Sequence, residues 1–306
     1  MSILVTGGAG FIGSNLLRHL EKEDTEVICV DKLSYASDER NLPDYVKFYR
    51  TDLSDEEAIE HVFEQENIEQ VFHLAAESHV DNSINDCKPF VQSNVLGTVN
   101  LLQCALEHDV DRFMHISTDE VFGSILSGSF SETSQYSPRN PYSASKAASD
   151  HFVMAYHTTY GLPTIITNCS NNYGPRQHPE KMIPKTILSI MGGKPVDVYG
   201  SGTQVRDWIY VDDHCKALIE LLNVGRLGQR YNIGGDFTLQ NKQLVHRIAK
   251  LMNKECEINY IEDRPGHDER YSTSNGKIMK ETSWTVSTKL DDGLLKTIEY
   301  YYDNYN

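Results

Sequence analysis

The chain has 306 residues, 39% of them apolar and 24% charged, with a formal net charge of −16. That is enough apolar material for one large domain or two moderate ones, and the acidity excludes nucleic acid or an anionic membrane as the main partner. The six cysteines form no C-x-x-C pair and four lie in apolar stretches, so free thiols in a reducing, cytoplasmic setting are expected, with no metal site. No stretch reaches the length of a membrane span, and the chain opens on a strand without a basic leader, so no membrane partner is expected.

Ile3-Leu4-Val5 predicts a first strand, Thr6 to Gly13 a glycine loop, and Ser14 to Leu20 a helix by its apolar spacing. The loop contains G-x-G-x-x-G from Gly8 to Gly13, overlaid by a second spacing at Gly7, Gly10 and Gly13. Glycines there allow the tight turn and let the backbone approach a pyrophosphate, which the helix N-terminus stabilises. The second strand, Glu26 to Val30, ends at Asp31, eighteen positions after Gly13. A carboxylate at that spacing accepts hydrogen bonds from a ribose 2′-hydroxyl and repels a 2′-phosphate, which favours NAD over NADP.

Val46 to Tyr49 predicts a third strand, closed by Thr51-Asp52-Leu53, and Ser54 to Glu57 reads as a helix cap with first-turn acids. Val71 to Leu74 is a fourth strand, followed by Ala75-Ala76-Glu77-Ser78-His79-Val80-Asp81, whose small residues let the chain pass close to a dinucleotide. A helical stretch over roughly 90–107 returns to a fifth strand, Phe113 to Ile116. Strands alternating with helices through short connections predict a right-handed, doubly wound parallel sheet.

At the end of that fifth strand stand Ser117-Thr118-Asp119-Glu120. Ligands sit at the carboxyl ends of strands in such sheets. Two neighbouring acids there can hold different proton affinities and divide acid and base work. A polar loop to about Asn140 precedes Pro141-Tyr142-Ser143-Ala144-Ser145-Lys146, where Tyr142 and Lys146 share one face of a helix. An ammonium beside a phenol favours phenolate and prepares it to take a proton.

Pro163 to Asn168 predicts a sixth strand, and Ser170 to Pro175 a polar turn at a sheet edge. Beyond it come short strands at Val196–Tyr199, Ile209–Val211 and Tyr231–Ile233, with helices at Asp213–Asn223, Asn241–Met252 and Leu290–Tyr302. The expected architecture is a Rossmann-like, doubly wound α/β sheet with a smaller C-terminal mixed α/β substrate lobe. Residues 1–168 form the NAD-binding part with the catalytic residues, and 169–306 mainly the lobe, with chain crossings back to the sheet allowed. Lys181, Arg206, Arg264 and Arg270 are its cationic candidates, and a guanidinium fork suits phosphate oxygens.

Together these motifs resemble the extended short-chain dehydrogenase/reductases, and among them the nucleoside-diphosphate-glucose 4,6-dehydratases. The glycine loop and Tyr142-x-x-x-Lys146 carry the superfamily likeness. Thr118-Asp119-Glu120, Glu77-Ser78-His79-Val80-Asp81, Val205-Arg206-Asp207-Trp208 and Arg264-Pro265-Gly266-His267-Asp268 carry the more specific one. Phe122 and Arg176 depart from it, standing where tyrosine and an aromatic residue are frequent.

The resemblance implies an NAD-dependent hydro-lyase acting on dTDP-glucose, with UDP-glucose as the second candidate, and a homodimer pairing the helices near 90–107 and 142–160. Tyr142, with Lys146, would take the 4-hydroxyl proton, Thr118 would hold that hydroxyl, Glu120 would remove the C5 proton and Asp119 would protonate the departing 6-hydroxyl. Cofactor contacts would come from Gly7, Gly10, Phe11, Ile12, Gly13, Asp31, Lys32, Leu33, Asp52, Leu53, Leu74, Ala75, Ala76, Ser78 and Asn94, besides Tyr142 and Lys146. Substrate contacts would come from Ser78, His79, Thr118, Asn171, Asn172, Glu180, Lys181, Met182, Val198, Tyr199, Arg206, Asn241, Arg264, His267 and Tyr271. The rivals are a UDP-sugar 4-epimerase, which needs no acid pair, a sugar-nucleotide decarboxylase, and a catalytically silent NAD-binding scaffold.

Overall fold

A computed structural model describes residues 2–21 and 25–305. All five residues of β1 (Ser2–Thr6) are buried, as a strand covered on both faces requires. The helix Phe11–Leu20 turns Leu16, Leu17 and Leu20 inward, each side chain worth about 1.5–3 kcal/mol of burial. β2 (Glu26–Asp31) and β3 (Lys47–Arg50) follow. The Asp55 carboxylate caps the helix Glu56–Gln65 by accepting the Ala58 N–H at 3.1 Å.

After β4 (Gln70–His73) and the short helix Val80–Asn85, one continuous helix runs over 88–107. Its middle stretch, Val91–Leu96, is wound as π-helix, with the Gly97 N–H bonded to the Gln92 carbonyl. β5 (Arg112–Thr118), the helix Pro141–Tyr160 and β6 (Thr164–Cys169) complete the first half.

The second half departs from the expectation in two places and makes the allowed crossing back to the main sheet in a third. Asn171–Tyr173 is a strand, β7, and not a turn. After β8 (Val196–Tyr199), the next strand, β9, covers Val205–Tyr210, and Val211 already begins the helix Val211–Val224. β10 (Gln229–Ile233) leaves the lobe and pairs in parallel with β6, Gln229 opposite Ile165. β11 (Thr238–Gln240) and β12 (Ile258–Ile261) are the last two strands.

The main sheet has seven parallel strands in the order β3-β2-β1-β4-β5-β6-β10. β11-β9-β7 form a second sheet, and β12 pairs with β8. Alternate residues of a strand face opposite sides. Accordingly Val5 and Cys29 pack with Leu16, Leu17 and Leu221, whereas Leu4 and Ile28 pack with Ile59 and Leu101. A third cluster, with Ile187, Trp208, Leu244 and Tyr301, holds the lobe together. Among the described residues no helix is long and apolar enough to cross a membrane.

Candidate active site

The carboxyl ends of β1, β2, β4, β5 and β6 open into one cleft beside the switch in strand order between β1 and β4. Its floor is the glycine loop. Gly7 has φ +72°, and a Cβ there would lie 2.7 Å from the Ala75 nitrogen. A Cβ on Gly13 would come within 2.2 Å of the Gly7 carbonyl oxygen, so the helix can approach the loop only without a side chain. Gly10 caps the helix Phe11–Leu20 with no side-chain hydrogen bond. The turn formed by Gly10, Phe11, Ile12 and Gly13 therefore presents amides to the cleft without a side-chain acceptor, an arrangement suited to a diphosphate.

Asp31 lines the same cleft at the end of β2. Its Oδ2 accepts the Ala9 N–H at 3.1 Å and its Oδ1 the Leu33 N–H at 2.8 Å. The second bond holds Leu33 at φ 55°, a conformation side chains rarely adopt. Lys32 lies 3.2 Å from Glu77 and 3.8 Å from Asp52, so its charge is matched by protein carboxylates. Leu53, Leu74, Ala75, Ala76 and Ser78 continue the wall. This set fits a dinucleotide. Leu33 and Asn94 stand outside the wall. Asn94 is buried behind it, accepting the Glu77 N–H at 2.8 Å and donating to Ser145 Oγ at 2.9 Å.

The acidic group sits over the other half of the cleft. Thr118 ends β5, and its Oγ1 accepts the Glu120 N–H at 3.2 Å, which starts the tight turn Asp119–Phe122. Asp119 is 1% exposed, and its Oδ2 has no hydrogen-bond partner among the described residues. Burial first, then the neighbouring Glu120, hold its carboxyl well above the usual carboxylate range. Asp119 thus holds a proton more tightly than an ordinary carboxyl, beside the partly exposed Glu120. The helix Pro141–Tyr160 brings in Tyr142 and Lys146, both in the cleft wall.

Lys146 donates from Nζ to the Ile116 carbonyl at 2.8 Å, and burial pushes its ammonium down to about 8. The simple expectation that Lys146 draws Tyr142 toward ionisation does not hold in this structure. Burial, followed by Glu120, pushes the phenol well above its ordinary value, so Tyr142 rests protonated. Removal from water and a nearby anion both oppose a phenolate.

Asn140 joins the two halves of this site. Its Oδ1 caps the helix Pro141–Tyr160 by accepting the Ser143 N–H at 2.9 Å, while its Nδ2 donates to Glu120 Oε2 at 3.3 Å. Asn140→Ala is expected to cost about 1 kcal/mol of stability and to lower turnover. Asn140→Ser should recover the stability and not the turnover. Denaturant unfolding and steady-state rates of the two variants check this, and full activity in the serine variant would remove Asn140 from the site.

On the lobe side, Ser78, Asn171, Asn172, Lys181 and Met182 reach the cleft, and Lys181 donates to the Ser78 carbonyl at 2.9 Å. The remaining substrate candidates lie outside that wall. Arg264 contacts Asp81 at 3.3 Å, and Tyr199 donates to the same carboxylate at 2.8 Å. Arg206 lies 4.3 Å over the Tyr271 ring and donates to the Asp268 carbonyl at 2.8 Å. His267 contacts Asp263, His79 lies 3.7 Å from Glu180, and buried Asn241 keeps an unpartnered Oδ1. Val198 packs in the lobe core, and Arg270 ties down the Gly128 carbonyl. Ser34, Ser37, Ser93 and Cys169 also line the cleft, as do Thr51 and Ser117, which the sequence places at strand ends but to which no role was assigned. Thr51, Ser117 and Cys169 follow or end strands and were open to the strand-end rule; the others come from loops and a helix with no motif.

The family model described as GDP-mannose 4,6 dehydratase matches residues 4–297. The dTDP-glucose 4,6-dehydratase of Haemophilus influenzae is 46% identical, with 99% of this chain and 98% of that protein covered. DesIV, a dTDP-glucose 4,6-dehydratase from Streptomyces venezuelae solved with NAD and TYD bound, is 42% identical and superposes with a TM-score of 0.96 over 99% of this chain and 98% of its own. The UDP-glucose 4-epimerase of Thermotoga maritima reaches the same TM-score of 0.96 at 30% identity, with both chains covered in full. The backbone therefore fixes the scaffold and leaves the reaction to the side chains. By the extent of the model match and the identity to the Haemophilus protein, the chain belongs to the GDP-mannose 4,6 dehydratase family of the extended short-chain dehydrogenase/reductases.

Proposed function

We propose that the protein is a dTDP-glucose 4,6-dehydratase, converting dTDP-glucose to dTDP-4-keto-6-deoxyglucose with loss of one water. The observation that carries this is the pair at the end of β5: buried Asp119, its carboxyl raised above the usual range, next to Glu120, in the same cleft as Tyr142 and Lys146. An epimerase on this scaffold needs the phenol and the ammonium but has no water to eliminate.

NAD, for which the glycine loop and Asp31 provide the fit, supplies the hydride acceptor for C4 and the hydride donor for C6. Tyr142 acts as the base once it is ionised: Lys146 supports the charge of the phenolate, which takes the proton of the 4-hydroxyl, oriented by Thr118, and ends as a neutral phenol. The resulting 4-ketone acidifies the C5 proton, which Glu120 removes. Asp119 gives its proton to the departing 6-hydroxyl, which leaves as water. A proton returned to C5 completes the sequence. Asp119 suits its part because burial, then the neighbouring Glu120, make its carboxyl hold a proton more tightly than usual.

Residues 1–168 would hold the cofactor and the reacting groups, and 169–306 the nucleotide sugar, with Arg206, Arg264 and Tyr271 toward its diphosphate and nucleoside. A homodimer is the expected assembly. Its support is apolar exposure on the two helices that would pair: Val91 and Leu96 on the helix over 88–107, Phe152 and Tyr160 on Pro141–Tyr160. Sedimentation at micromolar concentration should give twice the chain mass, and a monomer there would refute the pairing. The free cysteines fit a cytoplasmic protein.

Mass spectrometry of parallel reactions with dTDP-glucose and UDP-glucose tests the central proposal. A product lighter by one water, formed without added reductant and faster from dTDP-glucose, is expected. Conversion at unchanged mass would make the protein an epimerase, and faster loss of water from UDP-glucose would reverse the base assignment.

A further inference from the structure

A buried ammonium needs a nearby anion, and among the described residues none touches Lys146. Lys146 is 3% exposed, and its Nζ bonds the neutral Ile116 carbonyl. One helical turn further along, on the same face, lies Asp150 with no exposure at all. Its Oδ2 accepts from Tyr136 at 2.6 Å, from Ser117 at 3.0 Å and from Asn168 at 3.3 Å, and its Oδ1 lies 3.2 Å from His115 Nε2.

The other titratable groups around this core do not balance Asp150. On β5, His115 is fully buried and pushed down to about 4, so it is neutral, and behind it on β4 buried His73 is held well below its ordinary value. On β6, the Cys169 thiol is pushed up to about 12 and stays protonated. Tyr142 on the same helix also rests protonated. Asp119 beyond β5 holds its proton more tightly than an ordinary carboxyl, and Arg230 stacks on the far partner, 4.5 Å over the Tyr136 ring. Burial works to raise Asp150, but contacts with His115 and Tyr136 and the charge of Lys146 hold it below the usual carboxylate range. One buried anion and one buried cation remain, a turn apart on one helix.

We propose that Asp150 is a positioning residue for the reaction in the cleft: the fixed anion, seated by Tyr136, Ser117 and Asn168, that keeps Lys146 a cation facing Tyr142. The sugar chemistry in this statement rests on the function proposed above; the pairing of Asp150 with Lys146 does not. Asp150 reaches the cleft wall only behind it, through the Ser117 hydroxyl at 3.0 Å, and acts on Lys146 across one helical turn without touching it. Its consequence is directional. Without the anion, Lys146 gives up its proton at lower pH, and the support for a Tyr142 phenolate disappears from the alkaline side of the activity profile.

The variant to make is Asp150→Asn, which keeps the size and can still accept from Tyr136 and Ser117. Two readouts are needed. The first is the pH dependence of Lys146 acetylation by acetic anhydride in the intact protein without substrate, followed by peptide mass spectrometry. The second is the pH profile of turnover with dTDP-glucose. The midpoint for Lys146 labelling should fall by about one pH unit or more, and the alkaline limb of turnover should fall by the same amount. An unchanged labelling midpoint in folded Asp150→Asn overturns the proposal. If wild-type protein fails to turn over dTDP-glucose while the labelling midpoint still falls, the function fails and the pairing stands.

Should Asp150→Asn not fold, Tyr136→Phe decides. Removing the phenol leaves the carboxylate less neutralised, so the Lys146 midpoint should rise. A midpoint that stays or falls in that variant overturns the proposal.

Discussion

Glu120→Gln is expected to oxidise C4 and then stop. In a single turnover with dTDP-glucose, NADH absorbance should appear within about tenfold of the wild-type rate, a change of ~1.4 kcal/mol or less in the barrier. Loss of water should slow by about 10²–10⁴, the usual worth of a positioned base. Glutamine keeps an acceptor for the Asn140 amide, so the contact at 3.3 Å and the capped helix behind it survive. The substitution also removes an anion that, after burial, pushes both Tyr142 and Asp119 up. A phenol with its proton held less tightly ionises at lower pH. The acid limb of C4 oxidation should therefore move to lower pH in this variant. Formation of the dehydrated product at the wild-type rate would take the base role from Glu120.

The parts of this site that were legible in the sequence are those that depend on neighbours along the chain. Gly7, Gly10 to Gly13, Asp31, Thr118 to Glu120 and Tyr142 with Lys146 occur at strand ends or helix starts, where spacing along the chain fixes spacing in space, and all line one cleft. What depends on distant pairing was not legible. Asn171–Tyr173 looks like a polar turn, because two asparagines carry no strand pattern. It becomes a strand by pairing with Trp208–Tyr210, and buried Asn172 is supported there by His214 at 2.8 Å. Tyr231–Ile233 is β-rich locally, but nothing in its sequence tells which sheet it joins.

The electrostatics were legible only in outline. Tyr142 and Lys146 on one helical face suggested an ionised phenol, whereas the folded site adds burial and the Glu120 charge, and both act the other way. The anion balancing Lys146 is a residue of the same helix, yet nothing local distinguishes Asp150 from a solvated acid. Its meaning comes from Ser117, Tyr136 and Asn168, which converge on it from three other places in the chain.

Tyr142→Phe should block the sequence one step earlier, with C4 oxidation slowed by about 10²–10⁴. The ring stays edge-on to Phe90, with centroids 6.4 Å apart, and the Tyr142 backbone N–H keeps its bond to Ser83 Oγ at 3.1 Å, so the fold should not suffer. Binding of dTDP-glucose, measured by calorimetry, should change little, because the lost group acts on a proton and not on the diphosphate. In a single turnover no NADH should build up, in contrast to Glu120→Gln. NADH appearing at the normal rate would exclude Tyr142 as the base for the 4-hydroxyl. The two variants can also be combined. If Tyr142 acts before Glu120, the double variant must behave like Tyr142→Phe alone, since the ketone that makes the C5 proton acidic never forms. Accumulation of NADH in the double variant would mean that C4 oxidation proceeds by another base, and Lys146, which lies one helical turn from Tyr142 in the same cleft wall, would be the first to substitute.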